Sequence, residues 1–339
     1  MMRIMIFVRT LQGGAVGALA LSLFITHELT AHEDWNLSHH WALNTEFVYM
    51  NRTLLQSHTI VDQVPQCVLP CQNLGVLRTN KLIHEFHFEP GFRVGLGYRP
   101  DRRWSLEGNF LYLNEWHGKK ERHGNGTLSY PFHDSSFTND FVNADRAEAK
   151  YRSRFYSAEA NYWGHFTPRR ADYFSVSWVF GLRYINLHEW LKIAFTKITE
   201  TSNYNVQTRN LMGGPQIGGC FEWNPTEQIT WNFTAKFAPL LDRAEQHTFL
   251  GDRNNTITLR DFTKKKWNPV FLADVAASFN FQITPHFNLH AGYEMIYLTG
   301  LALAPEQLNN SSSFDMHKHV KTSGNALIHG LFTGLIFTF

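Results

Sequence analysis

Segments of ten or more residues in which apolar and polar side chains alternate recur along this chain, and few folds accept them. From Ile229 to Leu241, the residues Ile229, Trp231, Phe233, Ala235 and Phe237 fall on one side and Thr230, Asn232, Thr234 and Lys236 on the other. A helix would scatter those aromatics around its cylinder, whereas a strand gathers them on one face. The pattern returns in Trp104 to Tyr112, Phe174 to Arg183, Phe271 to Gln282 and Phe287 to Tyr297. Strands of soluble sandwiches average about five or six residues. A tilted strand crossing a bilayer needs about 9 to 11.

Composition agrees with a membrane strand protein. Aromatic residues make up 15% of the chain, with 28 Phe, 12 Tyr and 10 Trp, as expected of a barrel with aromatic girdles at both interfaces. Mean hydropathy is only −0.29, because a barrel hides its apolar residues among polar lumen positions. No stretch beyond the first 31 residues is apolar for long enough to form a membrane helix. The net charge of +2, with scattered Lys and Arg, gives no footprint for nucleic acid.

Connections alternate in length. Short links stand at Arg99–Arg103, Thr167–Arg170, Asn224–Glu227 and Thr284–His286, each containing a Pro, a good turn former. Long polar links run through Thr53–His84, His117–Lys150, Leu191–Tyr204, Arg243–Lys266 and Leu301–Asn325. Short turns on one rim and long loops on the other are the layout of outer-membrane barrels, which predicts an all-β, single transmembrane antiparallel barrel of about ten strands. The count becomes twelve if Leu191–Asn205 hides a further hairpin.

Both ends fit this reading. Residues 1–31 show Arg3 and Arg9, an uncharged Gly/Ala/Leu stretch from Gly13 to Ile25, and the small Ala31, the order of a secretory signal peptide. The barrel is then expected over 32–339, secreted to the periplasm and inserted in a bacterial outer membrane. At the other end Leu335, Phe337 and Phe339 share one strand face. They read as the C-terminal signal recognised by the barrel-assembly machinery.

The segments Gly91–Tyr98, Ser157–Tyr162, Gly181–Glu189 and Asn210–Gly219 resemble a β-barrel porin family of planctomycetes and related bacteria. That family is similar in layout to the major outer-membrane porins of Legionella-like and Chlamydia-like bacteria. The resemblance runs from about Phe86 to Phe339 and implies a channel for passive diffusion of small hydrophilic solutes or ions.

The polar parity of the strands collects Glu46, Glu89, Arg93, Glu107, Glu159, Arg183, Glu222, Lys236, Asp274 and Glu294. An Arg or Lys facing lipid at mid-bilayer costs about 2 to 4 kcal/mol, so these positions are assigned to the lumen. Acids outnumber bases there, which favours cations if water fills the bore. The competing expectation is a salt-bridge network that fills a narrow barrel, since barrels of about eight strands are already packed by side chains. Gly91, Gly95 and Gly97 share parity with Arg93, and either leave room for long charged chains or let the sheet bend.

Other chemistry is weaker. Cys67 and Cys71 are close enough in sequence for a loop-closing disulfide in an oxidising compartment, and Cys220 is expected to stay a thiol. No Gly-x-Ser-x-Gly elbow appears. His133–Asp134 and Asp315 with His317 are acid–His pairs in loops, but with 18 His in the chain such proximity is expected by chance. The chain is therefore read as a non-enzyme without cofactor. His39–His40 and His317–His319 lack the carboxylate or thiol spacing of a zinc site, so no metal is assigned. Lys264–Lys266 reads as a loop edge near lipid headgroups, in keeping with outer-membrane lipid and lipopolysaccharide as partners. The alternative to a porin is a non-conducting surface barrel, adhesin or structural, that works through its long loops.

Overall fold

The structure, a computed structural model, describes residues 40–54, 56–63, 74–100, 103–130, 141–166, 173–226, 228–252, 254–308 and 319–339. The expected signal peptide, Cys67 and Cys71 lie outside these residues.

Twelve strands form one antiparallel sheet: β1 (Trp41–Leu54), β2 (Thr59–Gln63), β3 (Leu74–Arg78), β4 (Glu89–Tyr98), β5 (Trp104–Ser129), β6 (Ala144–Phe166), β7 (Phe174–Lys197), β8 (Glu200–Thr226), β9 (Ile229–Asp252), β10 (Ile257–Thr284), β11 (Phe287–Leu301) and β12 (Gly324–Thr338). Ten of them close into a ring. From β4 to β12 each pairs with the next, β12 pairs with β1, and β1 pairs with β4. The small β2–β3 hairpin leans on the far end of β5 through Asp62 and Ser129. The expected count of about ten therefore holds for the barrel, and Leu191–Asn205 adds no strand because it lies within β7 and β8.

The seam closes where the Trp41 and Phe339 backbones exchange hydrogen bonds of 3.0 and 2.9 Å. Bonds from Arg99 N–H to His40 O and from Thr338 N–H to His286 O set short connections at that same end. Close strand approach at the seam needs a small residue. A Cβ at Gly334 would stand 2.7 Å from Glu46 Cα, and away from the seam, between β8 and β9, one at Gly218 would stand 2.8 Å from Lys236 Cα.

Strands run far past the length that the hydrocarbon layer requires: β5, β8 and β10 hold 26, 27 and 28 residues. The long links expected at His117–Lys150, Leu191–Tyr204 and Arg243–Lys266 are thus mostly strand. Their polar look has a physical cause, which β7 displays most clearly. In its first half Trp178, Phe180, Leu182 and Tyr184 are exposed on the outer face, while Ser177 and Arg183 are buried inside. In its second half the phase inverts: Ile185, Leu187, Leu191, Ile193 and Phe195 are buried inside, and His188, Trp190 and Lys192 take the outer positions. Strands β6, β8 and β9 invert at the same level, with Tyr151, Val206 and Leu240 buried within while Arg152, Arg209 and Arg243 face out. One strand therefore serves two surroundings. Where lipid is outside, polar groups go in; where water is outside, an apolar core goes in.

That core fills the outer half of the barrel. A register shift in β5 between Leu113 and Trp116 changes which residues point inward. It buries Trp116 completely, with its indole N–H donating to Met50 O at 3.0 Å. A short helix, α1 (Thr79–Ile83), and the residues after it bring Leu82, Ile83 and Phe86 into the mouth, where Phe86 stacks on Tyr151 with ring centroids 5.3 Å apart. The link Leu301–Asn325, expected as an exposed loop, begins instead as a plug. Residues 301–308 are buried and include a turn of 3-10 helix at Ala304–Gln307.

Candidate functional site

The lumen presents its polar side chains in tiers. In the middle tier, Arg93 on β4 bridges two carboxylates, Glu46 on β1 at 2.8 Å and Glu294 on β11. Its guanidinium lies over the Phe332 ring, 5.5 Å from the centroid. Across the bore Arg183 on β7 meets Asp274 at 2.6 Å and Glu159 at 3.8 Å, and Lys236 on β9 meets Glu159 at 2.8 Å. Gln216 and Asn109 donate to Glu159 at 2.8 and 3.1 Å, and Ser157 Oγ accepts from Arg183 Nε at 3.2 Å. The charged side chains of this tier are at most 15% exposed. Such acids and bases stay buried only because each is paired and hydrogen-bonded.

Seven of the ten residues assigned to the lumen from sequence thus meet in this tier: Glu46, Arg93, Glu159, Arg183, Lys236, Asp274 and Glu294. Glu107 stands nearer the seam end, joined through Asn109 and accepting from Trp163 Nε1 at 2.5 Å. Glu222 accepts from Ser175 close to the same end. Glu89 does not join: it sits opposite Met50, where the interior has become apolar. Gly218 lies opposite Lys236 in the ladder and Gly334 opposite Glu46, so the space their missing side chains leave is used by charged neighbours.

The outer tier was missed in sequence. Arg52 and Glu189 form an ion pair with both side chains wholly buried. Arg52 also donates to Tyr151 OH at 3.1 Å, and the second Glu189 oxygen accepts from Ala304 N–H at 2.8 Å. Asn210 holds the plug from the neighbouring strand β8, accepting from Ala302 N–H at 2.8 Å and donating to Ala302 O at 3.0 Å. The signal was available: Arg52 shares parity with Glu46 and Glu189 with Arg183. Both stand among apolar neighbours of the same parity, Met50 beside Arg52 and Leu187 and Leu191 beside Glu189, so neither reads as part of a polar strand face.

Near the seam end, His165 bridges Ser105 at 3.1 Å and Ser177 at 2.8 Å. On the outer face Leu335 and Phe339 are exposed, and the Phe337 ring packs 4.8 Å from Phe287 and 5.5 Å from Phe339. Cys220 is a half-buried free thiol. His133, Asp134, Asp315 and His317 lie outside the described residues, among which no cluster of metal-ligating side chains occurs. Lys264–Lys266 is not a loop edge but part of β10.

No protein-family model and no curated protein matches the chain. Among solved structures it is similar to the outer membrane protease OmpT from Escherichia coli, with a TM-score of 0.50 and 10% identity over 88% of this chain and 97% of that one. The fold is that of an outer-membrane β-barrel. Further similarities are to Ail, the attachment invasion locus protein of Yersinia pestis (TM-score 0.26, 10% identity, 88% and 99% covered), and to the translocator domain of the autotransporter NalP from Neisseria meningitidis (TM-score 0.35, 10% identity, 90% and 91% covered). The expectation of a non-enzyme is overturned by the first likeness, because a protease uses this fold. Barrel architecture by itself decides neither for catalysis nor against it.

Proposed function

We propose that this outer-membrane barrel is a closed-lumen surface protein, whose working parts are its outer wall and its extracellular top rather than a water-filled bore. The observation that carries this reading is the apolar interior of the outer half. A diffusion channel keeps a continuous polar path. Here the path from the Arg93 and Arg183 tier meets Met50, Trp116, Leu187 and Leu298, all fully buried. The Arg52–Glu189 pair and the plug of residues 301–308 stand at the same level. The resemblance to porins, resting on strand motifs, is compatible with the barrel and does not require passage of solute.

The test is conductance of purified, folded protein in a planar bilayer. Silent insertion, with folding checked by the heat-sensitive gel shift of the barrel, is the expected result. Discrete ion-conducting steps would overturn the proposal in favour of a porin.

A further inference from the structure

We propose that the outer wall of β6, β7 and β8, just above the aromatic girdle, binds the phosphate of a phosphorylated lipid headgroup, which Arg154 and Arg209 clasp over His188. This goes beyond a closed lumen and would hold for an open one.

The site is built from the phase inversion. Tyr156 and Tyr184, with rings 6.2 Å apart, end the apolar exterior on β6 and β7. One outward rung higher the ladder pairs Arg154 with His188 and His188 with Arg209. Neighbouring strands lie about 4.8 Å apart, so the two guanidinium-bearing positions flank His188 across roughly 10 Å. A phosphate between two Arg forks fits that gap. The next rung brings Arg152 beside Trp190. Arg152 and Arg154 both lie over the Trp190 ring, at 5.3 and 5.7 Å, and the His188 ring packs against it at 3.7 Å.

Positive charge is in excess here. A single carboxylate, Glu115, serves both Arg152 and Arg154, at 3.4 and 3.3 Å. Glu245 lies opposite Arg209 but pairs with Lys265 at 3.4 Å, and Arg209 has no ion pair among the described residues. His188 reports the resulting field. Its pKa is pushed down to about 4, by burial first and then by Arg209, Arg154 and Arg152, with Glu245 opposing. The ring is thus neutral at neutral pH and adds no charge of its own.

Position selects the source of the phosphate. Below the site the same wall is apolar and aromatic, with Leu182 and Tyr184 exposed, as a surface facing acyl chains must be. A headgroup phosphate sits at the level where such a wall turns basic. Lys264–Lys266 serves less well, since Lys265 is engaged by Glu245 and Lys266 donates to Thr322 at 3.1 Å.

The experiment uses the full folded barrel in neutral detergent micelles, doped separately with bisphosphorylated lipid A, dephosphorylated lipid A or inorganic phosphate. Retained lipid is counted by native mass spectrometry, and His188 is followed by NMR titration. Bisphosphorylated lipid A is expected to be retained and to raise the His188 pKa, because an anion offsets the arginine field. The R154Q/R209Q double variant should retain it at least tenfold less, while Lys192→Gln, the loss of a nearby outward charge, should retain it as the wild type does. The proposal is overturned if the double variant retains lipid normally, if Lys192→Gln loses as much, or if dephosphorylated lipid A is held equally well. It is also overturned if inorganic phosphate at equal concentration moves His188 as far, which would make this a site for a soluble anion.

Discussion

Replacing Arg93 by Met tests whether the middle of the barrel is dry. The guanidinium is shared by Glu46 and Glu294, whose side chains are 2% and 6% exposed. Removing it strands two carboxylates away from water, and breaking a buried pair by deleting one partner costs about 3 to 5 kcal/mol. Arg93 itself keeps 15% exposure, so the lower end, about 3 kcal/mol, is the better expectation. This corresponds to roughly a hundredfold change in the folded-to-unfolded ratio. With a urea dependence of about 1 to 3 kcal/mol per molar, the unfolding midpoint should fall by about 1 to 3 M. The opposite replacement should be mild. In the middle tier the acids Glu46, Glu159, Asp274 and Glu294 face the bases Arg93, Arg183 and Lys236. Glu294→Gln therefore moves the tier toward neutrality and is expected to cost less than about 1 kcal/mol, and adding it to Arg93→Met should recover part of the loss. The assay is urea unfolding in micelles followed by tryptophan fluorescence and gel mobility. If Arg93→Met shifts the midpoint no more than a surface ion pair would, less than about 1 kcal/mol, and shows no coupling to Glu294→Gln, the tier is bathed in water and the reading of a dry middle fails.

Three further outcomes are expected. Gly334→Val should block or sharply slow barrel closure, because its Cβ would lie 2.7 Å from Glu46 Cα at the β1–β12 seam; the heat-sensitive gel shift during refolding measures this. Asn210→Ala removes both side-chain bonds to Ala302, so amide exchange at Ala302 and Ala304 should rise from strand-like to loop-like rates while strand amides stay protected, as read by hydrogen-exchange mass spectrometry. Because the His188 pKa is depressed to about 4 against about 6.5 for an unfolded His, its contribution to stability is present above pH 6.5 and lost as pH falls toward 4. Arg209→Gln should raise that pKa and shrink the acid loss, and an NMR titration showing no upward movement would contradict the arginine field.

Period-two alternation made the membrane half of the barrel legible, because lipid outside forces one assignment of faces. Trp231, Phe233 and Phe237 against Thr234 and Lys236 show it plainly, and the same parity collects all seven charged residues that meet in the middle tier. The outer half hid behind its inverted phase. Leu191, Ile193 and Phe195 alternate with Lys192, Ala194 and Thr196 as regularly as the membrane segments do. Their apolar members occupy the parity that Arg183 takes lower on the strand, so continuity of β7 is invisible to a search for one apolar face. The plug was hidden for another reason. Nothing local marks Leu301–Leu308 as buried, since its burial depends on Asn210 and Glu189, which are remote in sequence and supply the hydrogen bonds that its backbone needs once inside.

Inversion of the phase also constrains where activity can reside. A barrel that served only to pass solutes would gain nothing from strands such as β8 and β10 that extend far beyond the hydrocarbon layer, least of all strands whose interior is packed with Ile193, Phe195, Tyr204 and Val206. Closely packed interiors are rigid, and a rigid, raised wall holds side chains in fixed relation. The outer surface of that wall is where Arg152, Arg154, His188, Trp190 and Arg209 are aligned by the strand ladder itself, with spacing set by backbone pairing rather than by loop conformation. Loss of the apolar core, as in Trp116→Ala, should therefore disturb the outer basic surface along with stability, although Trp116 is buried on the inner side of the wall. A Trp116→Ala barrel that lost stability, while His188 kept its depressed pKa, would show that the ladder alone sets the surface.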